Sequence, residues 1–264
     1  MTSLKTVVSI LALGATFAAV PAQAVITTFA SYSPIGTGAN FEWKNNGTTT
    51  TNGTGGSVFS LATATSTTAG SRHVSFSFLL PQLSSTINHV NAVFTLSGAV
   101  PSGNPAVLFS GFQLQDAIGG SFSFKSTSAI TVGNTVYAAG SNLLSATFGS
   151  TAIAGQRMGT SASFSGSTAA GDTIVYTSDF LTFGNVVDSD FSISLTSVAA
   201  SLLASTNKSL RTFKAVSSGS FSTDPAPLVN GVPEPAMWAM MVAGFGMVGV
   251  SLRGRNKRMT SVSA

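Results

Sequence analysis

Residues 72–80 read RHVSFSFLL. Val74, Phe76, Phe78 and Leu80 alternate with His73, Ser75, Ser77 and Leu79. A period of two belongs to a strand with one face in a core and the other in water. The rhythm recurs. Val90, Ala92, Phe94 and Leu96 alternate with Asn91, Val93, Thr95 and Ser97; Phe122 and Phe124 flank Ser123; Phe191, Ile193 and Leu195 alternate with Ser192, Ser194 and Thr196. Val25–Tyr32, Ser57–Ala62, Ala106–Leu114, Ile130–Tyr137, Leu143–Phe148, Thr173–Phe183 and Leu210–Phe221 are β-rich and separated by turn residues such as Ser-Gly, Gly-Asn and Gly-Gly. A helical period is absent between Val25 and Val232, with Ser197–Ser205 as one short exception. Many short strands with frequent turns predict an all-β domain, an antiparallel β-sandwich or jelly roll.

The inward parity is rich in phenylalanine, whose burial stabilises by about 1.5–3 kcal/mol per side chain. The outward parity is serine, threonine and asparagine rather than lysine and glutamate. That surface can hydrogen-bond to sugar hydroxyls or to another copy of itself; a generic low-charge exported domain has the same composition. Thr, Ser and Gly fill 17 of the 24 positions of Gly47–Gly70, which predicts a looped stretch in which Val58, Phe59 and Leu61 could form an edge strand.

Charged residues are 8% of the 264-residue chain, against roughly 25% in an average soluble protein. The net charge of +4 resides at the ends, where Lys5, Arg253, Arg255, Lys257 and Arg258 are offset by Glu234 alone. Between Val25 and Val232, Lys44, Arg72, Lys125, Arg157, Lys208, Arg211 and Lys214 balance Glu42, Asp116, Asp172, Asp179, Asp188, Asp190 and Asp224. A neutral domain with scattered charge has no footprint for a phosphate backbone, so nucleic acid is not an expected partner. The absence of cysteine excludes a disulfide framework, a thiolate nucleophile and a cysteine metal site.

Both ends carry topology signals. Met1–Lys5 bears one positive charge, Val7–Val20 is apolar, and Ala22-Gln23-Ala24 has the small-x-small form of a signal-peptidase site. This order predicts a secretory signal peptide over 1–24, cleaved after Ala24. At the other end, 222–235 reads STDPAPLVNGVPEP, with four of the nine prolines of the chain. Proline fixes φ and lacks the amide donor, which predicts a semi-extended linker following a domain at 25–221. Residues 236–252, AMWAMMVAGFGMVGVSL, contain no charge and as a helix would span about 26 Å, close to the hydrocarbon core of a bilayer. A basic tail at 253–264 follows, with Arg253, Arg255, Lys257 and Arg258 expected on the cytoplasmic side.

Pro233-Glu234-Pro235, Trp238-Ala239, the glycine-containing apolar segment and the basic end together resemble the PEP-CTERM sorting domain in its PEPxxWA form. The resemblance covers about a tenth of the chain, and six further residues, Met259–Ala264, follow the basic cluster. It implies a Gram-negative, exopolysaccharide-producing host. It also implies recognition of the tail by a membrane-embedded exosortase, which cuts near the motif, and a passenger bound for the cell surface or biofilm matrix, whether released or attached there. Pro233, Glu234, Pro235, Trp238 and Ala239 would then be substrate residues rather than an active site.

Catalytic and binding signals within the passenger are sparse. Asp188-Ser189-Asp190, with Asp172 and Asp179 nearby, could supply calcium oxygens; two solvated aspartates in a turn before a strand give the same pattern. Trp43, beside Phe41 and Glu42 and with Tyr32 nearby, could stack on a sugar ring, although core packing is the commoner role. A glycosidase needs paired carboxylates, and nothing in the spacing of the seven acids selects a pair. A Ser-His-Asp triad would have to draw its base from His73 or His89, both expected on polar strand faces, and no G-x-S-x-G elbow is present. No phosphate loop or dinucleotide fingerprint occurs. The sequons at Asn46, Asn52 and Asn207 mark polar loops.

The reading is therefore a non-enzymatic exported protein, without cofactor or metal, that plays a structural or adhesive part at the surface or in the exopolysaccharide matrix. A lectin-like carbohydrate-binding module, with or without calcium, is the alternative, and a polysaccharide hydrolase is a third. The expected partners are the secretion machinery, signal peptidase, the exosortase and extracellular polysaccharide, with transient membrane insertion of the tail.

Overall fold

The computed structural model describes residues 26–48, 51–230, 242–243 and 245. The strands are β1 (Thr27–Pro34), β2 (Phe41–Asn45), β3 (Gly56–Ser60), β4 (Arg72–Phe78), β5 (Val90–Val100), β6 (Val107–Phe109), β7 (Phe112–Ser126) and β8 (Ile130–Val132). They continue with β9 (Thr135–Tyr137), β10 (Asn142–Gln156), β11 (Ala162–Ser167), β12 (Thr173–Thr177), β13 (Leu181–Thr182), β14 (Asp188–Ala199), β15 (Phe213–Asp224) and β16 (Leu228–Val229). A single 3-10 turn, Thr168–Ala170, precedes β12. The domain is all-β, built on one large antiparallel sheet whose form is consistent with a β-sandwich.

The pairing closes on itself. β15 pairs with β14, β14 with β11, β11 with β10, β10 with β7 and β7 with β5. Two routes then lead from β5 back to β15. One runs through β4 and β1. The other runs through β3 and β2. Closure of this kind hides edges that would otherwise recruit another chain. Where the two routes part, buried polar side chains replace the missing backbone partners. Asn40 accepts from Ser217 N–H at 2.6 Å and donates to Ser217 C=O at 3.2 Å. On the opposite side, Ser60 Oγ accepts from Leu96 N–H at 2.9 Å and donates to Gly70 C=O at 2.5 Å.

The core is aromatic. Phe122 on β7 meets Phe221 on β15, from the opposite wall of the ring, at 5.1 Å between centroids. Phe124 packs on Tyr32, Phe76 and Phe94 at 4.9, 5.2 and 4.9 Å. β5 and β7 approach so closely that a Cβ on Gly120 would lie 2.2 Å from Ser97 O and 2.4 Å from Gly98 Cα. Both chain ends of the described domain lie at one pole: Thr27 faces Thr223, and Asn230 donates from its backbone N–H to Phe180 C=O. The β6–β7 hairpin lies at the other pole, beside the far end of β10, where Gln156 faces Phe112.

Several segments differ from the sequence expectation. Ser197–Ser205 is not a helix; it ends β14 and turns, with positive φ at Ser197, Ala200 and Ser201. Ile130–Tyr137 is a hairpin of two strands, and Thr173–Phe183 also holds two. Residues 56–60 form an interior strand between β5 and β2 rather than an edge. The linker expected from 222 begins later. Ser222, Thr223 and Asp224 continue β15, because they retain their amide donors, and β16 pairs with β13 beyond Pro225 and Pro227. The expected signal peptide over 1–24 and basic tail over 253–264 lie outside the described residues. The expected 236–252 span is described only at Val242, Ala243 and Phe245, which are helical. Among the described residues no helix is long and apolar enough to cross a membrane.

Candidate functional site

The outward faces of β5, β7, β10 and β12 form a groove of about 550 Å³. Strand register arranges it in rows. Thr95 faces Ser123, Ser123 faces Ser145, and Ser145 faces Thr177. In the next row Ser97 faces Ser121, Ser121 faces Thr147, and Thr147 faces Val175. The inward parity explains the arrangement, because Phe94, Leu96, Phe122, Phe124, Ala146, Phe148, Ile174 and Tyr176 are buried beneath it. Neighbouring strands set hydroxyls about 4.8 Å apart across the sheet and about 6.7 Å apart along it.

Seven hydroxyls line this groove. Ser145 Oγ donates to Asn142 Oδ1 at 2.7 Å, and Thr177 Oγ1 accepts from Asn142 Nδ2 at 3.5 Å. The hydroxyls of Thr95, Ser97, Ser121, Ser123 and Thr147 bond to no other described residue and are free for a ligand. Lys125 is the one charged side chain of the lining, and Val175, 55% exposed, supplies an apolar seat at the end of a row. On the far side of β12 lies a second concavity of about 490 Å³, lined by Tyr176, Leu181, Phe183 and Val186. β12 is the ridge between the two.

The residues singled out in the sequence are placed differently from a metal or stacking site. Asp188 and Asp190 lie within β14, not in a turn before it. Asp172 Oδ2 accepts from Ser167 N–H at 2.8 Å, Asp179 Oδ2 from Asn142 N–H at 2.7 Å, and Asp188 Oδ1 from Thr168 Oγ1 at 3.3 Å. They are spent on separate loops and strands, and no group of three metal-ligating side chains forms among the described residues. Asp188 does face Asp224 across the β14–β15 register, a pairing the sequence did not disclose. Neither carboxylate lines the grooves above.

Trp43 and Phe41 are fully buried, and Tyr32 nearly so, which excludes the stacking role. Trp43 Nε1 donates to Leu210 C=O at 2.8 Å, and Tyr32 OH donates to Ser217 Oγ at 2.9 Å. Burial raises the Tyr32 phenol far above its ordinary range. Burial also raises Tyr176, with the Asp190 charge adding to it; Tyr176 OH donates to Asp190 C=O at 2.5 Å. His73 is exposed on β4, and His89 sits beside Ser75, Nδ1 to Oγ 3.3 Å, with no carboxylate bonded to either histidine among the described residues.

Glu42 is the unexpected group. It is 3% exposed on the outer side of β2, beneath the 61–71 loop, whose Ser66 carbonyl accepts from Lys214 Nζ. Glu42 Oε2 lies 3.9 Å from Lys214 Nζ and has no hydrogen-bond donor. Burial raises its carboxyl above the ordinary value, opposed by the Lys214 and Lys44 charges. Pro233, Glu234, Pro235, Trp238, Ala239, Arg253, Arg255, Lys257, Arg258, Ala22 and Ala24 lie outside the described residues. No family model, curated protein or solved structure matches the chain.

Proposed function

We propose that the chain is an exported component of a bacterial surface or exopolysaccharide matrix, with a structural and adhesive role, holding neutral polysaccharide against β5, β7, β10 and β12. The observation that supports this reading is the groove of seven hydroxyls, most of them unengaged. Sugar hydroxyls donate and accept, as serine and threonine hydroxyls do. A carboxylate-free groove imposes little desolvation on a neutral chain, and Val175 offers a contact for sugar C–H groups. Each contact is weak, so repeated engagement along a polymer supplies the adhesion. The reading needs no cofactor and no calcium.

Routing rests on the termini. The 1–24 segment directs export, and the tail around Pro233, Glu234 and Pro235, which resembles a PEP-CTERM signal, directs exosortase processing after a membrane-inserted intermediate.

Two measurements test the reading. Protein recovered from outside its host should have an intact mass lacking 1–24 and the residues beyond about Pro235; retention of 238–264 would overturn the sorting route. The protein should co-sediment with host exopolysaccharide equally with and without EGTA, and Ser121→Glu should weaken binding about tenfold. No binding at high micromolar concentration would overturn the adhesive role.

A further inference from the structure

Two buried glutamines stand two residues apart on one face of β7, and they are treated differently. Gln115 is fully buried and satisfied: its Nε2 donates to Asn104 C=O at 3.0 Å, and its Oε1 accepts from Leu210 N–H at 3.3 Å. Gln113 is 2% exposed, and its side chain bonds to no described residue; its Oε1 is buried without a donor. A stranded buried amide costs stability and calls for a partner. Where that partner would stand lies a concavity of about 410 Å³, which Gln113 lines.

Strand register builds the concavity. Leu108 faces Gln113, and Gln113 faces Gly155. Arg157, two residues beyond Gly155, falls on the same side, and its backbone N–H donates to Gly111 C=O at 2.8 Å, which carries the pairing past the end of β10. The opposite wall is the 204–207 turn, held to the hairpin by Ala106 N–H donating to Lys208 C=O at 3.0 Å. Arg157 is the one charged side chain of the lining; it is exposed, and its guanidinium bonds to no described residue. Residues 101–115 contain no charge, and the charges beside the turn, Lys208 and Arg211, are also cations. Arg211 Nη2 donates to Ser205 Oγ of the turn at 3.4 Å. Asp116 has the opposite parity to Gln113 on β7 and so belongs to the other face.

We infer that this concavity binds a uronic acid, free or as the terminal unit of a polysaccharide, with Arg157 holding the carboxylate and Gln113 a ring hydroxyl. Each demand of the site selects part of that ligand. An unengaged guanidinium fork with only cations around it is matched by a carboxylate. The Gln113 amide presents one end that needs a donor and another that needs an acceptor, and a hydroxyl serves as either. Phosphate and sulfate offer acceptors alone and would leave Gln113 Oε1 unpaired. Leu108, 55% exposed beside Gln113, gives the C–H face of a sugar ring an apolar contact. The volume is at the small end of ligand pockets, which suits a monosaccharide unit. The inference does not rest on the neutral-polysaccharide reading of the flank, whose groove lies farther along β7.

Saturation-transfer NMR reads binding to the full-length chain in micelles of a detergent without a sugar headgroup. Sodium glucuronate should bind with a dissociation constant of about 1 mM, and glucuronamide, its neutral counterpart, about tenfold more weakly. Arg157→Gln, a change at an exposed side chain that leaves the core intact, should bring glucuronate down to the glucuronamide level. Gln113→Leu removes the stranded amide at similar volume, so it should fold at least as stably as the parent and weaken both ligands about tenfold. Ser121→Glu, in the flank groove, should change neither, which keeps this test separate from that of the flank. Methyl glucuronide distinguishes the sources: binding equal to that of the free acid supports a polysaccharide terminus, and loss on methylation supports the free acid. No binding at tens of millimolar, glucuronamide bound as well as glucuronate, or binding indifferent to Arg157→Gln or to Gln113→Leu would overturn the inference. So would displacement of glucuronate by an equal concentration of inorganic phosphate, which would reduce the site to an anion contact at Arg157.

Discussion

Replacing Asn40 by alanine tests the device that lets one wall of the ring divide into β1–β4 and β2–β3. Asn40 is 1% exposed, and its amide closes two hydrogen bonds on the backbone of Ser217, itself fully buried. Alanine leaves that N–H and that C=O without partners in the interior. A stranded buried group costs about 1–3 kcal/mol, so the pair costs about 4 kcal/mol. That is a large fraction of the ~5–15 kcal/mol by which a domain is stable. With a urea slope of about 2.5 kcal/mol/M, the unfolding midpoint should fall by about 1.6 M at an unchanged slope. Asn91→Ala is the control, because Asn91 is exposed on β5 with a side chain that bonds to no described residue, and it should cost less than about 0.5 kcal/mol. A fall of less than about 0.4 M for Asn40→Ala would refute the reasoning, because Ser217 would then be satisfied without the amide.

Two further substitutions examine the same construction. Gly120→Ala should destabilise by at least about 2 kcal/mol, because its Cβ would enter the β5 backbone, whereas at Gly119 the nearest atom is 3.7 Å away and alanine should be tolerated in the same denaturation series. Glu42 is held above its ordinary value of 4.5 by burial, so the folded state binds its proton more tightly than the unfolded chain and loses stability as pH rises from about 4.5 through the folded value. Glu42→Gln should therefore melt higher than the parent at pH 7, with the gain vanishing near pH 4; an equal gain at both pH values would mean that ionisation of Glu42 is not its source.

The sequence disclosed strands wherever one face is wet. In β5 and β14 the alternation of Phe, Leu and Ile with Ser and Thr is the burial pattern itself, and β4 departs from it at Ser77, which is buried where its Oγ accepts from His89 N–H. It did not disclose β2, because the 61–71 loop covers Glu42 from outside and four of the five residues of FEWKN are buried. Nor did it disclose β11, where Phe164 is the only large apolar residue. The aspartates of β14 read as a turn because polar residues also begin a strand that enters the sheet from its rim. The hydroxyl character of the groove was visible in Thr95, Ser97, Ser121 and Ser123. Its site was not, because Ser145, Thr147 and Thr177 join them only through the β7–β10 and β10–β12 registers, which are long-range properties.

Closure of the ring also decides which surfaces remain for interaction. β15 returns to β1 and β2, which closes the ring and leaves β12, paired among the described residues only with β10, as an open edge beside the groove. The hydroxyl groove runs along the flank, while both ends of the described domain lie at one pole and Phe109 and Phe112 stand at the other, roughly 45 Å away along β10. A polymer lying on the flank would obstruct neither pole. Under the proposed function the flank would therefore engage a polymer while the pole that carries both ends of the described domain stays accessible.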